Sequence, residues 1–180
     1  MAIDWRALAL EVGDLNPDGS EAGCGSTYSA IHALELVIGE ENIRGAVDQW
    51  ISLEPGAFTA EKALLILRST VAMEYCYQIY KNEPNTPRAG MAVFLLSEMA
   101  DSRFMQWARE LMEDSNETVR WNALMALNQV FQGALGDEGI ALAKELLAKA
   151  EHDHEPRLRE RAREIREGLA SDPHLSHLEL

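Results

Sequence analysis

The chain is predicted to be all-α, a solenoid of about four to five stacked αα-hairpins with no sheet. Three observations predict this. From Thr27 onward apolar residues recur at helical spacing almost without interruption, and nothing alternates as a strand does. Gly, Pro, Asn and Asp then cut that stretch into segments of similar length. Finally, Asp114-Ser115-Asn116-Glu117 runs into Val119-Arg120-x-x-Ala123-x-x-Ala126-Leu127, and weaker copies stand before and after it. A motif recurring every few tens of residues marks units that stack, because one helix pair cannot hide its own apolar stripe.

The elements follow in order. A short helix is expected over 5–12, then a loop over 13–26, the one long Gly/Pro/Ser/Asp-rich stretch. That loop reads equally as an arm gripping a partner or as a spacer. Helices are expected over 27–38 and 42–53, stopped by Glu54-Pro55-Gly56, and over 59–69 and 70–81, stopped by the two prolines of 83–87. Further helices cover 87–99 and 102–112, ending at Asp114-Ser115-Asn116, then 117–131, ending at Gly136-Asp137, and finally 137–150 and 155–169. The organisation is thus a helix and loop over 1–26, a repeat domain over 27–170, and a polar tail over 171–180 containing Pro173.

Overlaying the second helix of each pair aligns Thr59-Ala60, Pro87-Arg88, Val119-Arg120 and Leu158-Arg159, each followed by spaced apolar residues. The Arg-like positions are separated by 28, 32 and 39 residues, an irregular unit. With its Asp- or Pro-containing turn, Val-Arg and spaced Ala/Leu, the pattern resembles the HEAT-repeat family of α-solenoids over roughly residues 27–170. The resemblance implies a right-handed stack whose second helices line the concave face. Family members are mostly scaffolds and protein-binding modules, with a few enzymes and one group of DNA-repair proteins.

At 180 residues and 47% apolar, the chain can bury a continuous core. Its net charge of −14 argues against a partner held through phosphates, whether nucleic acid or anionic membrane. Residues 1–60 hold 10 acids and 2 bases, so a basic protein is steered toward the N-terminal third. Cys24 and Cys76 are too few for a disulfide framework or a zinc site. The N-terminus lacks a basic and apolar leader pattern, and no apolar run is long enough to span a membrane. A reduced, cytoplasmic protein is expected, a monomer or weak dimer.

Catalytic and cofactor chemistry finds little support, and no cofactor or metal is expected. Metal-dependent HEAT enzymes carry several His-Glu pairs inside successive helices. Here the one such pair is His154-Glu155, at a helix start within His152-Asp153-His154-Glu155, where acids suit the helix N-terminus. Cys24 precedes a helix, where a thiolate is stabilised, but no Cys–His pairing with His32 can be read from spacing, and Ser26 or Thr27 serves there as an N-cap. Gly19, Gly23 and Gly25 lack the Lys-Ser/Thr of a phosphate loop. The Arg/Glu alternation over 157–167 reads as a solvated, ion-paired helix.

A binding surface remains. On a helical wheel of 117–131, Val119, Ala123, Ala126, Leu127 and Val130 fall within about 100° and form the buried stripe. Trp121, Met125 and Gln129 lie roughly 200–280° away. A Trp and a Met outside the main stripe suit the centre of a binding patch, or else the seam with a neighbouring hairpin. Carried along the repeats, the matching positions are Glu61 and Leu65, Ala89 and Val93, and Glu160 and Glu164, with Tyr28 and His32 on a first helix. Ala89-Gly90 opposite Trp121 would leave room for a partner's side chain. The expected function is a non-catalytic protein-protein interaction module. It would bind a basic protein through an acidic concave face with an apolar-aromatic centre, as an immunity protein that blocks a toxin does. The alternatives are a scaffold or assembly factor, or an enzyme or lyase-like accessory protein on a helical-repeat body.

Overall fold

The computed structural model describes residues 3–20, 22, 27–133 and 135–171. Cys24, Gly23, Gly25 and Ser26, and the tail after 171, lie outside the described residues. Ten α-helices and one 3-10 turn make up the described chain, with no strand: α1 (Trp5–Glu11), α2 (Thr27–Ile38), α3 (Glu40–Ser52), α4 (Ala57–Leu67), α5 (Thr70–Asn82), α6 (Pro87–Glu98), the 3-10 turn Ser102–Phe104, α7 (Met105–Met112), α8 (Glu117–Phe131), α9 (Asp137–Ala150) and α10 (Pro156–Ser171). Boundaries agree with the predicted ones to within about two residues. α3 starts early because Gly39, at φ 85°, turns the chain in a single residue. No described helix is long and apolar enough to cross a membrane. The contacts divide the chain into two compact units, Met1–Tyr75 and Cys76–Leu180.

The first unit is organised on the α3–α4 hairpin. Ile43, Val47 and Trp50 of α3 and Ala57, Leu64 and Leu67 of α4 are its buried stripes, at the spacing that puts them on one helix face. The Trp50 and Phe58 rings meet edge to face at 6.0 Å. Both helices end on a left-handed residue that is not glycine, Leu53 at φ 55° and Arg68 at φ 45°. The Leu53 side chain is exposed, so glycine there loses no packing. Leu53→Gly is expected to stabilise the chain by about 0.5–1 kcal/mol, read as a raised thermal midpoint. A lowered midpoint would show that the left-handed turn carries no strain.

The second unit stacks α6, α8 and α10 in one row and α7 and α9 in another. α8 lies in the middle of its row, so its buried surface is wide. Leu124, Asn122 and Phe131 are covered as well as Val119, Ala123, Ala126, Leu127 and Val130. The Asp–Arg spacing of the turns has a repeated purpose. Arg120 Nη1 donates to the carbonyls of Asp114 (2.8 Å) and Ser115 (3.1 Å), and Arg159 Nη1 donates to those of Asp153 (2.8 Å) and His154 (3.0 Å). Each turn Asp meanwhile accepts the backbone N–H two residues on, Asn116 to Asp114 and Glu155 to Asp153. Arg120 also clasps Asp153 of the next repeat, through Nε at 2.9 Å and Nη2 at 3.1 Å.

On the other row the charges neutralise one another. Lys81 pairs with Glu110 (2.5 Å), Arg109 with Glu145 (2.8 Å) and Lys149 with Glu113 (2.7 Å). Tyr77 stacks on Trp107 at 5.2 Å and gives its hydroxyl to Glu110. Burial, together with that carboxylate partner, pushes the Tyr77 phenol up to about 12. The hydrogen bonds from Lys81 and Tyr77 hold Glu110 below its ordinary value.

Candidate functional site

Within the second unit, α6, α8 and α10 enclose a cleft of about 380 Å³. Phe94, Ser97 and Glu98 line it from α6, Trp121, Asn122 and Met125 from α8, and Arg161 and Glu164 from α10. Its shape follows from the wheels. The apolar stripe of α6 buries Ala89, Ala92, Val93, Leu95 and Leu96, which leaves Phe94 and Glu98, one turn apart, on the open side. In α10 the stripe Leu158, Ala162, Ile165 and Leu169 turns Arg161 and Glu164 toward α8.

The apolar floor of the cleft is partly covered by its own cations. The Arg157 guanidinium lies over the Trp121 ring at 4.1 Å from the centroid. One turn later Arg161 reaches Met125 Sδ at 3.5 Å and pairs with Glu164 at 2.8 Å. Both contacts join positions 36 apart in the chain, one turn of α10 answering one turn of α8. Arg157 is exposed, whereas Trp121, Met125 and Arg161 are half-buried. The cleft therefore holds an aromatic face and a thioether, with Glu98 and Glu164 at its edges, under an exposed guanidinium.

Of the residues expected on this surface, the cleft brings together Trp121, Met125 and Glu164. Glu160 is exposed on α10 beside it, and Gln129 is half-buried two turns beyond Trp121. Ala89 and Val93 are corrected. Both are buried, because they fall in the middle of the wide α6 stripe, and the α6 residues that line the cleft are Phe94, Ser97 and Glu98. Glu61 is likewise buried, with Oε2 3.0 Å from Lys62 Nζ, and so is no surface acid; Leu65 is half-buried. These two belong to the first unit, as do the exposed Tyr28 and His32.

The sequence pattern does not single out Phe94 or Glu98 as site residues, and it places Arg157 and Arg161 in a solvated, ion-paired helix. The four-residue spacing of Arg157 and Arg161, matching that of Trp121 and Met125, was the available signal. A larger groove of about 570 Å³ runs along the turns from Met112 to Ser115 and from Lys149 to His154. Its charged groups are already committed to one another. Asp153 holds Arg120, His152 Nδ1 lies 2.9 Å from the Ala148 carbonyl oxygen, and His154 Nε2 lies 3.2 Å from Arg120 Nη2. The His152–Glu155 segment is thereby built into the seam between repeats. Cys76 is buried.

Comparison with known proteins agrees with this architecture. A family model described as HEAT repeats matches residues 74–165, 92 of the 180 residues. No curated protein and no solved structure matches the chain.

Proposed function

Starting from a chain that belongs to the HEAT-repeat family, we propose a non-catalytic module that binds another, basic protein through the α6–α8–α10 cleft. Stacked helix pairs suit this work, because they present extended surfaces rather than enclosed reaction chambers. The observation that carries the reading is the seating of Arg157 on Trp121. The cleft already holds a guanidinium on an aromatic face, so an incoming arginine or lysine finds there the chemistry that suits it. Exchange of the exposed Arg157 for a partner's cation keeps the cation–π contact and adds Glu98 as a counter-charge. The net charge of −14 speeds encounter with such a partner. A toxin-inhibiting immunity protein is one module of this kind.

Affinity capture from the native cell, with the wild-type chain and a Trp121→Ala/Met125→Ala variant as baits, tests the proposal. A partner held by the cleft is recovered by the wild type and lost from the variant, with a cost of at least about 2 kcal/mol for truncating a central aromatic anchor. Equal recovery by both baits would sink it. Turnover by the purified chain in an activity screen would favour an enzyme on the same body.

A further inference from the structure

Helix α2 is built inside out. Of its described side chains only Glu35 is buried, and Glu35 is its one charged residue. The Ser69 hydroxyl donates to Glu35 Oε1 at 2.6 Å and the Val71 N–H donates to the same oxygen at 3.2 Å. A carboxylate held by two donors fixes the rotation of the helix, and its apolar side is turned to solvent as a result. Ala30, Leu34, Val37 and Ile38, at the i, i+4, i+7, i+8 spacing of one helix face, are all exposed. The asymmetry extends to the unit as a whole. Among the described residues, eleven of the twelve exposed large apolar side chains belong to the first unit, Phe94 being the exception.

The same unit concentrates the charge. It holds 12 Asp and Glu against 4 Lys and Arg, net −8, whereas the larger second unit holds 18 against 12, net −6. Ile38 is joined to Glu40 and Glu41 through Gly39 alone, so the end of the apolar stripe lies roughly 7 Å along the chain from the first of them. Glu40, Glu41 and Asp48 then line a recess on α3 together with Arg44, which is itself engaged by Glu40.

We propose that the exposed face of α2 is a docking surface for a basic amphipathic helix of another protein. The partner's apolar stripe packs along Ala30, Leu34 and Val37, and its Lys or Arg residues meet Glu40 and Glu41. A second copy of the chain is disfavoured as occupant, since two surfaces of net −8 would face each other. An anionic membrane is disfavoured by the same sign. The surface lies in the first unit and does not depend on the α6–α8–α10 cleft.

Fluorescence anisotropy with an 18-residue Leu/Lys amphipathic peptide, and its Leu/Glu counterpart of identical apolar pattern, tests this proposal (the peptide length is about five helix turns). The Leu/Lys peptide is expected to bind saturably and the Leu/Glu peptide not to bind. Leu34→Asp/Val37→Asp and Glu40→Lys/Glu41→Lys are each expected to weaken binding at least tenfold. Trp121→Ala is expected to leave it unchanged, which separates this surface from the cleft. Circular dichroism and the thermal midpoint establish that the variants stay folded. Equal binding of both peptides, unchanged affinity in both double variants, or equal binding to phosphatidylglycerol vesicles would overturn the proposal. So would a dimer in sedimentation that Leu34→Asp/Val37→Asp abolishes.

Discussion

Arg120→Ala is expected to destabilise the chain by about 1.5–3 kcal/mol, because it removes the buried partner of a half-buried carboxylate. Arg120 is only 4% exposed. Its loss strands the Asp153 carboxylate, which lies in the seam between two repeats, and leaves the Asp114 and Ser115 carbonyls without their donor. Lysine cannot replace it, because one ammonium does not reproduce three donors in a planar fork. The pH dependence carries the same information. Burial pushes Asp153 up, but the hydrogen bonds from Arg120 and the Glu155 N–H, with the charges of Arg120 and His154, outweigh it and hold the carboxyl below its usual value.

A carboxyl depressed in the folded state contributes stability that is fully present above its unfolded value, near 3.9, and is lost as pH falls through the folded value. Thermal melts from pH 7 down to pH 3 should therefore show an acid loss of stability in the wild type that is diminished in Arg120→Ala. An Arg120→Ala variant within about 1 kcal/mol of wild type at pH 7 would refute the clasp.

Leu127→Ala is expected to cost about 2–5 kcal/mol, toward the upper end of that range for a buried leucine that leaves a cavity. Leu127 is fully buried on α8, the middle helix of its row, with α6 on one side and α10 on the other. A cavity there weakens both stacking interfaces at once, and in a stacked array the interface terms hold neighbours together. Met125→Ala, two residues away but half-buried at the cleft, is expected to cost less than about 1.5 kcal/mol. Denaturant titration separates the two, since Leu127→Ala should move the midpoint without changing the slope. Equal costs would show that α8 is not the centre of the stack.

Much of the lining of the proposed cleft was legible at α8 and little of it on the neighbouring helices. The wheel of α8 separates Val119, Ala123, Ala126, Leu127 and Val130 from Trp121, Met125 and Gln129, and the structure buries the first set and leaves the second half-covered. Carrying that register to α6 by motif overlay matches Ala89 and Val93 to Trp121 and Met125, and both are buried. The overlay keeps sequence in register but does not fix which face each helix turns to its neighbour, and α6 presents Phe94, Ser97 and Glu98. Glu61 fails for a local reason, since its side chain lies on the buried edge of the α4 stripe, beside Ala57 and Leu64.

What the sequence determined by itself is the set of helices, their breaks, their pairing into repeats and the acidic excess. These rest on periodicity, turn chemistry and counted charge, which are properties of neighbours along the chain. Only the tertiary structure decided which side chains meet across helices: Arg157 on Trp121, Arg120 on Asp153, and Glu35 on Ser69, some 33–36 residues apart. Those partners depend on the axial offset and rotation of whole helices. A single carboxylate anchor such as Glu35 sets that rotation for α2 against its apolar pattern, which no helical wheel contains.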